Sequence, residues 1–287
     1  MSKQRWQRRI LLLLPGLCVL VLISQSFVSA GRWLSEPFPG FFVYENLTVG
    51  PYYAPGWTGA TAGLRALDRV VSVDGQELFN RAQLYGLVRN APAGSVLHYR
   101  VVRAGHLFDL KIPSLQFTFR DWLLCFGLYI AIGLAFLVIG IAPYFYRASS
   151  AVALPLCFMV LMVFVWFQTT FDFMTDGLLP KEIRILALAL TPSAAIHLAL
   201  LLKNSNLGSP PRRLYLAAIY GTGIILGTLN SATFFLPGWI WIPVYRSSYV
   251  FVCVGAAAFL LILAKALRES QSHLDRPPLR RMLVGGF

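Results

Sequence analysis

Four histidines (His98, His106, His197, His273) and four cysteines (Cys18, Cys125, Cys157, Cys253) are the side chains best suited to hold a metal or act as nucleophiles. Their spacing does not support either role. A zinc protease needs two histidines one helical turn apart with a glutamate between them, H-E-x-x-H, and that string does not occur. A serine hydrolase of the α/β type raises its nucleophile on a G-x-S-x-G elbow, which is also missing. Phosphate cradling needs G-x-x-x-x-G-K-[ST]; Gly221-Thr222-Gly223 lacks the lysine and lies in an apolar stretch. No G-x-G-x-x-G follows a strand, and protein-kinase motifs do not occur. The cysteines all fall within apolar segments without the close Cys/His spacing of a zinc site, and they read as small packing residues. The residues imply no catalytic centre, no metal and no cofactor.

What remains is polar chemistry inside apolar surroundings. His197, Gln168 and Asn230 interrupt otherwise hydrophobic runs. Ionisable groups within a bilayer are costly and often functional. His197 lies close to Lys203, so snorkelling to the interface or bonding a neighbouring helix is an equally physical role for it. Gln168, Asn230 and Thr191 are expected to hydrogen-bond between helices. Pro192 is expected to kink its helix, and Gly221, Gly223 and Gly227 to let helices approach closely.

The elements that carry these residues follow from composition. Hydrophobic residues make up 57% of the 287-residue chain and charged residues 13%, against about 25% charged in an ordinary soluble domain. Six stretches are apolar enough to cross a bilayer: residues 10–31, 122–146, 148–171, 185–202, 214–236 and 247–264. Each approaches the roughly 20 residues that one crossing needs. Pro237-Gly238 is read as a break after the fifth, leaving an exposed loop with Trp239, Trp241 and Tyr245 at the membrane interface. The first stretch follows Lys3, Arg5, Arg8 and Arg9 and is longer than a signal-peptide core, so it reads as an uncleaved anchor.

The net charge of +13 is a topology signal, not a nucleic-acid signal. With loops numbered alternately, one side holds Lys3, Arg5, Arg8, Arg9, Arg147, Lys203, Arg212, Arg213, Lys265, Arg268, Arg276, Arg280 and Arg281 against Glu269 and Asp275 alone. The opposite helix-to-helix loops balance. Lysine and arginine are retained in the cytoplasm, so residues 1–9 and 265–281 are expected there, facing anionic lipid. Residues 36–114 are then extracytoplasmic, in a bacterial inner (plasma) membrane. Residues 282–287 read as the start of a further helix, cut short, so the chain reads as a fragment.

Residues 36–114 differ in pattern. Asn80 with Gln83 three residues on is a capping box for a helix bearing Leu84, Leu87 and Val88 on one stripe. Residues 96–103 alternate, with Leu97, Tyr99 and Val101 on one face. Ala104-Gly105 is a two-residue hairpin turn, and residues 106–112 return with Phe108, Leu110 and Ile112 inward. Residues 70–73 form a shorter strand ending at the turn Asp74-Gly75. Asn46-Leu47-Thr48 fits a glycosylation triplet. The fold class expected is a membrane all-α bundle of about six transmembrane helices, with a small α+β domain inserted between helices 1 and 2.

The string from Ala62 through Gly63, Leu64, Asp68 and Val73 to Asp74-Gly75, followed by a helix, Pro92-Ala93-Gly94 and a valine-rich hairpin, resembles a bacterial PDZ domain. The chain departs from that pattern at Leu67, where the family prefers glycine. The resemblance implies an extended peptide or protein C-terminus added to a sheet edge. It would lie between a carboxylate-binding loop at Pro39, Gly40, Phe41 and Phe42 and a helix presenting Leu84, Leu87 or Val88. An anchor, such a domain and a multi-helix block together resemble the input half of quorum-sensing histidine kinases of the competence type, with Thr191–Leu200 (Pro192 and His197 among them) similar to a segment of that group. That likeness implies a two-component sensor module, with a homodimer compatible with it, whose output domain lies beyond this chain. A transporter or scaffold, and a protease adaptor, are the competing readings.

Overall fold

The computed structural model describes residues 3–147, 152–175, 177, 179–203 and 210–271. Helix α1 (Lys3–Trp33) enters a β-domain, and a bundle of helices follows. In the domain, β2 (Arg69–Val73), β3 (Gln76–Glu77), β4 (Val96–Arg103) and β5 (His106–Pro113) form an antiparallel sheet in the order β3-β2-β4-β5. A separate two-stranded ribbon pairs β1 (Pro37–Phe38) with β6 (Leu115–Gln116), bringing the domain's entry and exit together. The short α2 (Thr58–Thr61) and the longer α3 (Arg81–Asn90) complete it.

Local chemistry explains these elements. Ala104 (φ 49°) and Gly105 (φ 86°) both take the left-handed backbone that a two-residue hairpin turn of this twist requires. The β4–β5 register runs unbroken from Arg103↔His106 to Val96↔Pro113. Leu97, Tyr99, Val101 and Ile112 face the core as expected. Phe108 does not: it is 41% exposed near the hairpin tip, where the Arg103 guanidinium lies 5.2 Å from its ring centre. Asn80 caps α3 by accepting from Gln83 N–H at 2.9 Å. The return bond of the expected box is displaced by one residue, because Gln83 Oε1 accepts from Phe79 N–H at 2.8 Å. Tyr85, not Leu87, completes the buried stripe with Leu84 and Val88.

After the domain, Thr118 and Asp121 form a capping box on α4 (Phe119–Trp122). A π-helical turn, Leu123–Gly127, leads into α5 (Leu128–Arg147). Then come α6 (Ala153–Gln168), α7 (Thr170–Met174), α8 (Lys181–Lys203), α9 (Pro210–Thr233) and α10 (Gly238–Gln271). Among the described residues, five helical segments are long and apolar enough to cross a membrane: Gly16–Trp33, Phe119–Gly140, Lys181–Leu202, Arg213–Thr233 and Gly238–Ala266. In place of the expected crossing at 148–171 stand the shorter apolar α6, of 16 residues, and then α7.

The aromatic loop expected after Pro237 is instead the start of α10. Pro237 C=O accepts from Ile240 and Trp241 N–H, so Pro237-Gly238 opens the helix. Trp241 and Tyr245 are buried, and only Trp239 is exposed. Helix α8 packs against α6, α9 and α10. Close approach rests on Gly223 and Gly227 against α8, whereas Gly221 faces open space. Thr191 bonds the carbonyl of Ala187 in its own helix, so it links no neighbour. The expected basic cluster Arg276, Arg280 and Arg281 and the segment 282–287 lie outside the described residues.

Candidate functional site

The β-domain and the helix ends share one hydrophobic core, and this junction is where most of the sequence-predicted site residues meet. Trp33, at the end of α1, packs edge-on to Tyr85 of α3 with ring centroids 4.6 Å apart, and lies 5.5 Å from Phe42. Phe42 also contacts Phe126 of the π-turn and Phe171 of α7. Arg89 of α3 sits over the Trp33 ring at 4.8 Å. Edge-to-face pairs of this kind add about 0.5–1.5 kcal/mol each beyond burial.

Helix α3 also satisfies the C-terminal carbonyls of α7. The last carbonyls of a helix have no partner within it. Arg81 Nη1 donates to Phe173 C=O at 2.7 Å, and the Tyr85 hydroxyl donates to Met174 C=O at 2.8 Å. The same hydroxyl accepts from Val43 N–H at 3.1 Å. Met174 lies against Gly50, where a Cβ would come within 2.5 Å of its Cε. One phenol thus connects the 39–43 segment, α3 and the end of α7.

Among the proposed peptide contacts, Phe41, Phe42, Leu84 and Val88 are fully buried, Pro39 and Gly40 are buried, and Leu87 is half-buried. The structure therefore brings the two walls together, with their side chains turned into the shared core. Gly40 has φ 77° and its Cβ position is taken by Thr58, so only glycine fits there.

The motif residues have a structural account. Asp68, 1% exposed, accepts from Arg103 Nε at 2.7 Å and from Arg65 N–H at 2.8 Å. Arg103 Nη2 donates both to Asp68 at 2.6 Å and to Gly63 C=O at 2.7 Å. Leu64 and Val73 are core residues. Asp74 (φ 48°) and Gly75 (φ 81°) make the β2–β3 turn, and Asp74 Oδ1 accepts from His98 N–H. Leu67, where the PDZ pattern has glycine, takes φ 72°. Leucine here bears the strain that glycine would avoid.

The polar residues expected in the bundle join helices. Gln168 accepts from Ser26 of α1 at 3.1 Å. Asn230 accepts from the Trp241 indole at 2.9 Å, tying α9 to α10. His197 meets the Tyr220 hydroxyl of α9 at 3.2 Å. Asn46 of the glycosylation triplet is buried, its amide donating to Phe234 C=O at 2.7 Å.

Two buried groups carry no signal in the sequence. Asp172 of α7 is 3% exposed, and neither carboxylate oxygen has a hydrogen-bond partner. Burial raises its pKa, partly opposed by Ser29, Gln25, Arg81 and Arg32. Tyr44 is fully buried, bonds the Tyr245 hydroxyl at 2.8 Å, and is held protonated by desolvation well above its ordinary value. A single polar residue in a five-residue helix or in a loop has no periodicity to mark it, which is why neither stands out. Among the described residues, no three His, Cys, Asp or Glu side chains gather to hold a metal.

No family model matches the chain, and comparison with curated proteins gives no match. Among solved structures, the chain is similar to a serine endoprotease from Yersinia pestis, with 17% identity and a TM-score of 0.26. The likeness covers 29% of this chain and 29% of that one.

Proposed function

We propose that this chain is a membrane-embedded sensory input module. In this reading the PDZ-like domain lies outside the inner membrane and takes an extended peptide or protein terminus. The helices pass the event to an output domain on the cytoplasmic side. The observation that supports it is the Tyr85 hydroxyl, which bonds Val43 N–H and Met174 C=O together. A peptide strand inserted between α3 and the 39–43 segment would compete for that phenol and for the packing on Trp33. Ligand binding and the seating of α1 and α7 would then be linked, and a ligand shifts such an equilibrium by its differential affinity for the two arrangements.

The test uses the chain joined to its own output or to a dimerisation-dependent reporter. Deleting residues 45–114 is expected to uncouple output from added peptide, and Tyr85→Phe to shift basal output without removing the protein from the membrane. Output unchanged by both would overturn the reading. Substrate flux through proteoliposomes, with output unchanged, would favour the transporter reading.

A further inference from the structure

Helix α8 carries a buried cation with no carboxylate partner among the described residues. Arg184, in its first turns, is 2% exposed, and its Nε has no hydrogen-bond partner. Among the described residues it forms no salt bridge. Of the nearby carboxylates, Glu182 and Glu45 pair with Lys181 at 3.0 and 3.9 Å. What surrounds Arg184 is aromatic: its guanidinium carbon lies 4.5 Å from the Phe173 ring centre, and Phe173 packs 5.0 Å from Tyr44, whose hydroxyl meets that of Tyr245 at 2.8 Å. A cation over a desolvated ring gains about 2 kcal/mol, while an unpaired buried charge costs several. A cation held this way favours an anion brought close to it.

A groove opens beside it. About 860 Å³ of space lies between α6 and α10, both of which pack on α8. At one end the phenols of Tyr52, Tyr245 and Tyr249 line it, and Tyr245 is joined through Tyr44 to Phe173, the ring on which Arg184 sits. Exposed Arg246 stands at that rim. Val250 and Val254 continue it along α10, and Trp166 and Phe167 of α6 also line it. From Tyr245 to Val254, α10 rises about 13 Å at roughly 1.5 Å per residue, close to half of an apolar layer about 30 Å thick. The volume falls within the roughly 300–1,000 Å³ of small-ligand sites.

We propose that this groove binds a single-chain anionic amphiphile, with its acyl chain along α10 and its acidic head on the tyrosine hydroxyls, Arg184 lying behind them as the countercharge. Neutral phenols donate to such an anion, and the low-dielectric setting strengthens the attraction. The site is independent of the peptide reading, because its residues lie outside the 39–43 segment and α3.

The experiment uses the full chain in phosphatidylcholine nanodiscs, with a fluorescent polyene fatty acid excited by energy transfer from tryptophan. Oleate is expected to displace the probe at about tenfold lower concentration than oleyl alcohol, a preference of roughly 1.4 kcal/mol. Arg184→Gln is expected to erase that difference. Val254→Trp, which fills the groove from an exposed position, is expected to abolish displacement by both while leaving the thermal midpoint unchanged. Equal displacement by acid and alcohol in the unaltered chain would overturn the proposal, as would an acid preference that survives Arg184→Gln. Displacement by phosphatidylglycerol but not by oleate would overturn it too, making the site one for a two-chain bilayer lipid. Should Arg184→Gln fail to fold, Val254→Trp still decides: displacement that persists there puts the site elsewhere.

Discussion

Asp68 holds two distant segments at once, the loop at Arg65 and the end of β4 at Arg103, and Arg103 in turn reaches Gly63. Asp68→Ala is expected to cost about 2 kcal/mol, the worth of charge-assisted bonds lost from a mostly buried partner; denaturant unfolding of the chain in detergent measures it. Asp172 has the opposite sign. Its folded pKa lies above the unfolded value, so folding favours the protonated acid, and stability falls as pH rises from the ordinary carboxylate range through the raised value. Asp172→Asn is expected to stabilise the chain at neutral pH and flatten that decline, read as thermal midpoint against pH. Asp68 was legible in the sequence because it sits in a motif. Its partner Arg103, 35 residues away, was not, since side-chain pairing across a sheet leaves no local pattern. Arg184 and Tyr85 were hidden for the same reason: what matters about each is what surrounds it.

The helices meet through a few glycines, and the structure separates those that matter. A Cβ on Gly255 of α10 would lie 2.3 Å from the Cβ of Pro192 on α8, whereas one on Gly221 of α9 would meet nothing within 4 Å. Gly255→Leu is therefore expected to cost about 1–3 kcal/mol as overpacking, and Gly221→Leu close to nothing. Comparing the two thermal midpoints in one detergent checks both. In the sequence the glycines of α9 looked equivalent, because spacing reports which residues share a face but not which face meets a neighbour. The β4–β5 turn and register were legible, since alternation and a two-residue turn specify register together, although β5 runs on to Pro113 and Phe108 is exposed. The start of α10 was not. Pro-Gly marks a boundary without saying whether a helix ends or begins there, and Trp241 and Tyr245 suit an interface loop as well as a buried helix face.

Over the whole molecule, five of the six apolar stretches and the small insert between the first two were readable, because some 20 residues without charge can hardly be kept from water except in lipid; the stretch at 148–171 instead holds the shorter α6 and then α7. That the insert and the bundle share one core was not readable, since Phe41, Phe42 and Tyr44 serve an isolated domain's interior equally well. An excised segment spanning 36–118 is expected to expose Phe42, Tyr44, Tyr85 and Phe117, which the full chain buries. It should bind an apolar fluorescent dye strongly and lack a cooperative unfolding transition, whereas the intact chain in detergent should lose its sheet and its aromatic packing together.

Tyr44 carries that sharing furthest along the chain, meeting Tyr245 and Trp241 about two hundred residues downstream. Synthesis at roughly 5–20 residues per second separates the domain's last strand from Tyr245 by on the order of 6–25 s. Throughout that delay the insert has already left the ribosome with part of its interior still untranslated. Its maturation is thus timed by the arrival of the final helix, and a holding chaperone on the domain's side of the membrane has a defined interval in which to act.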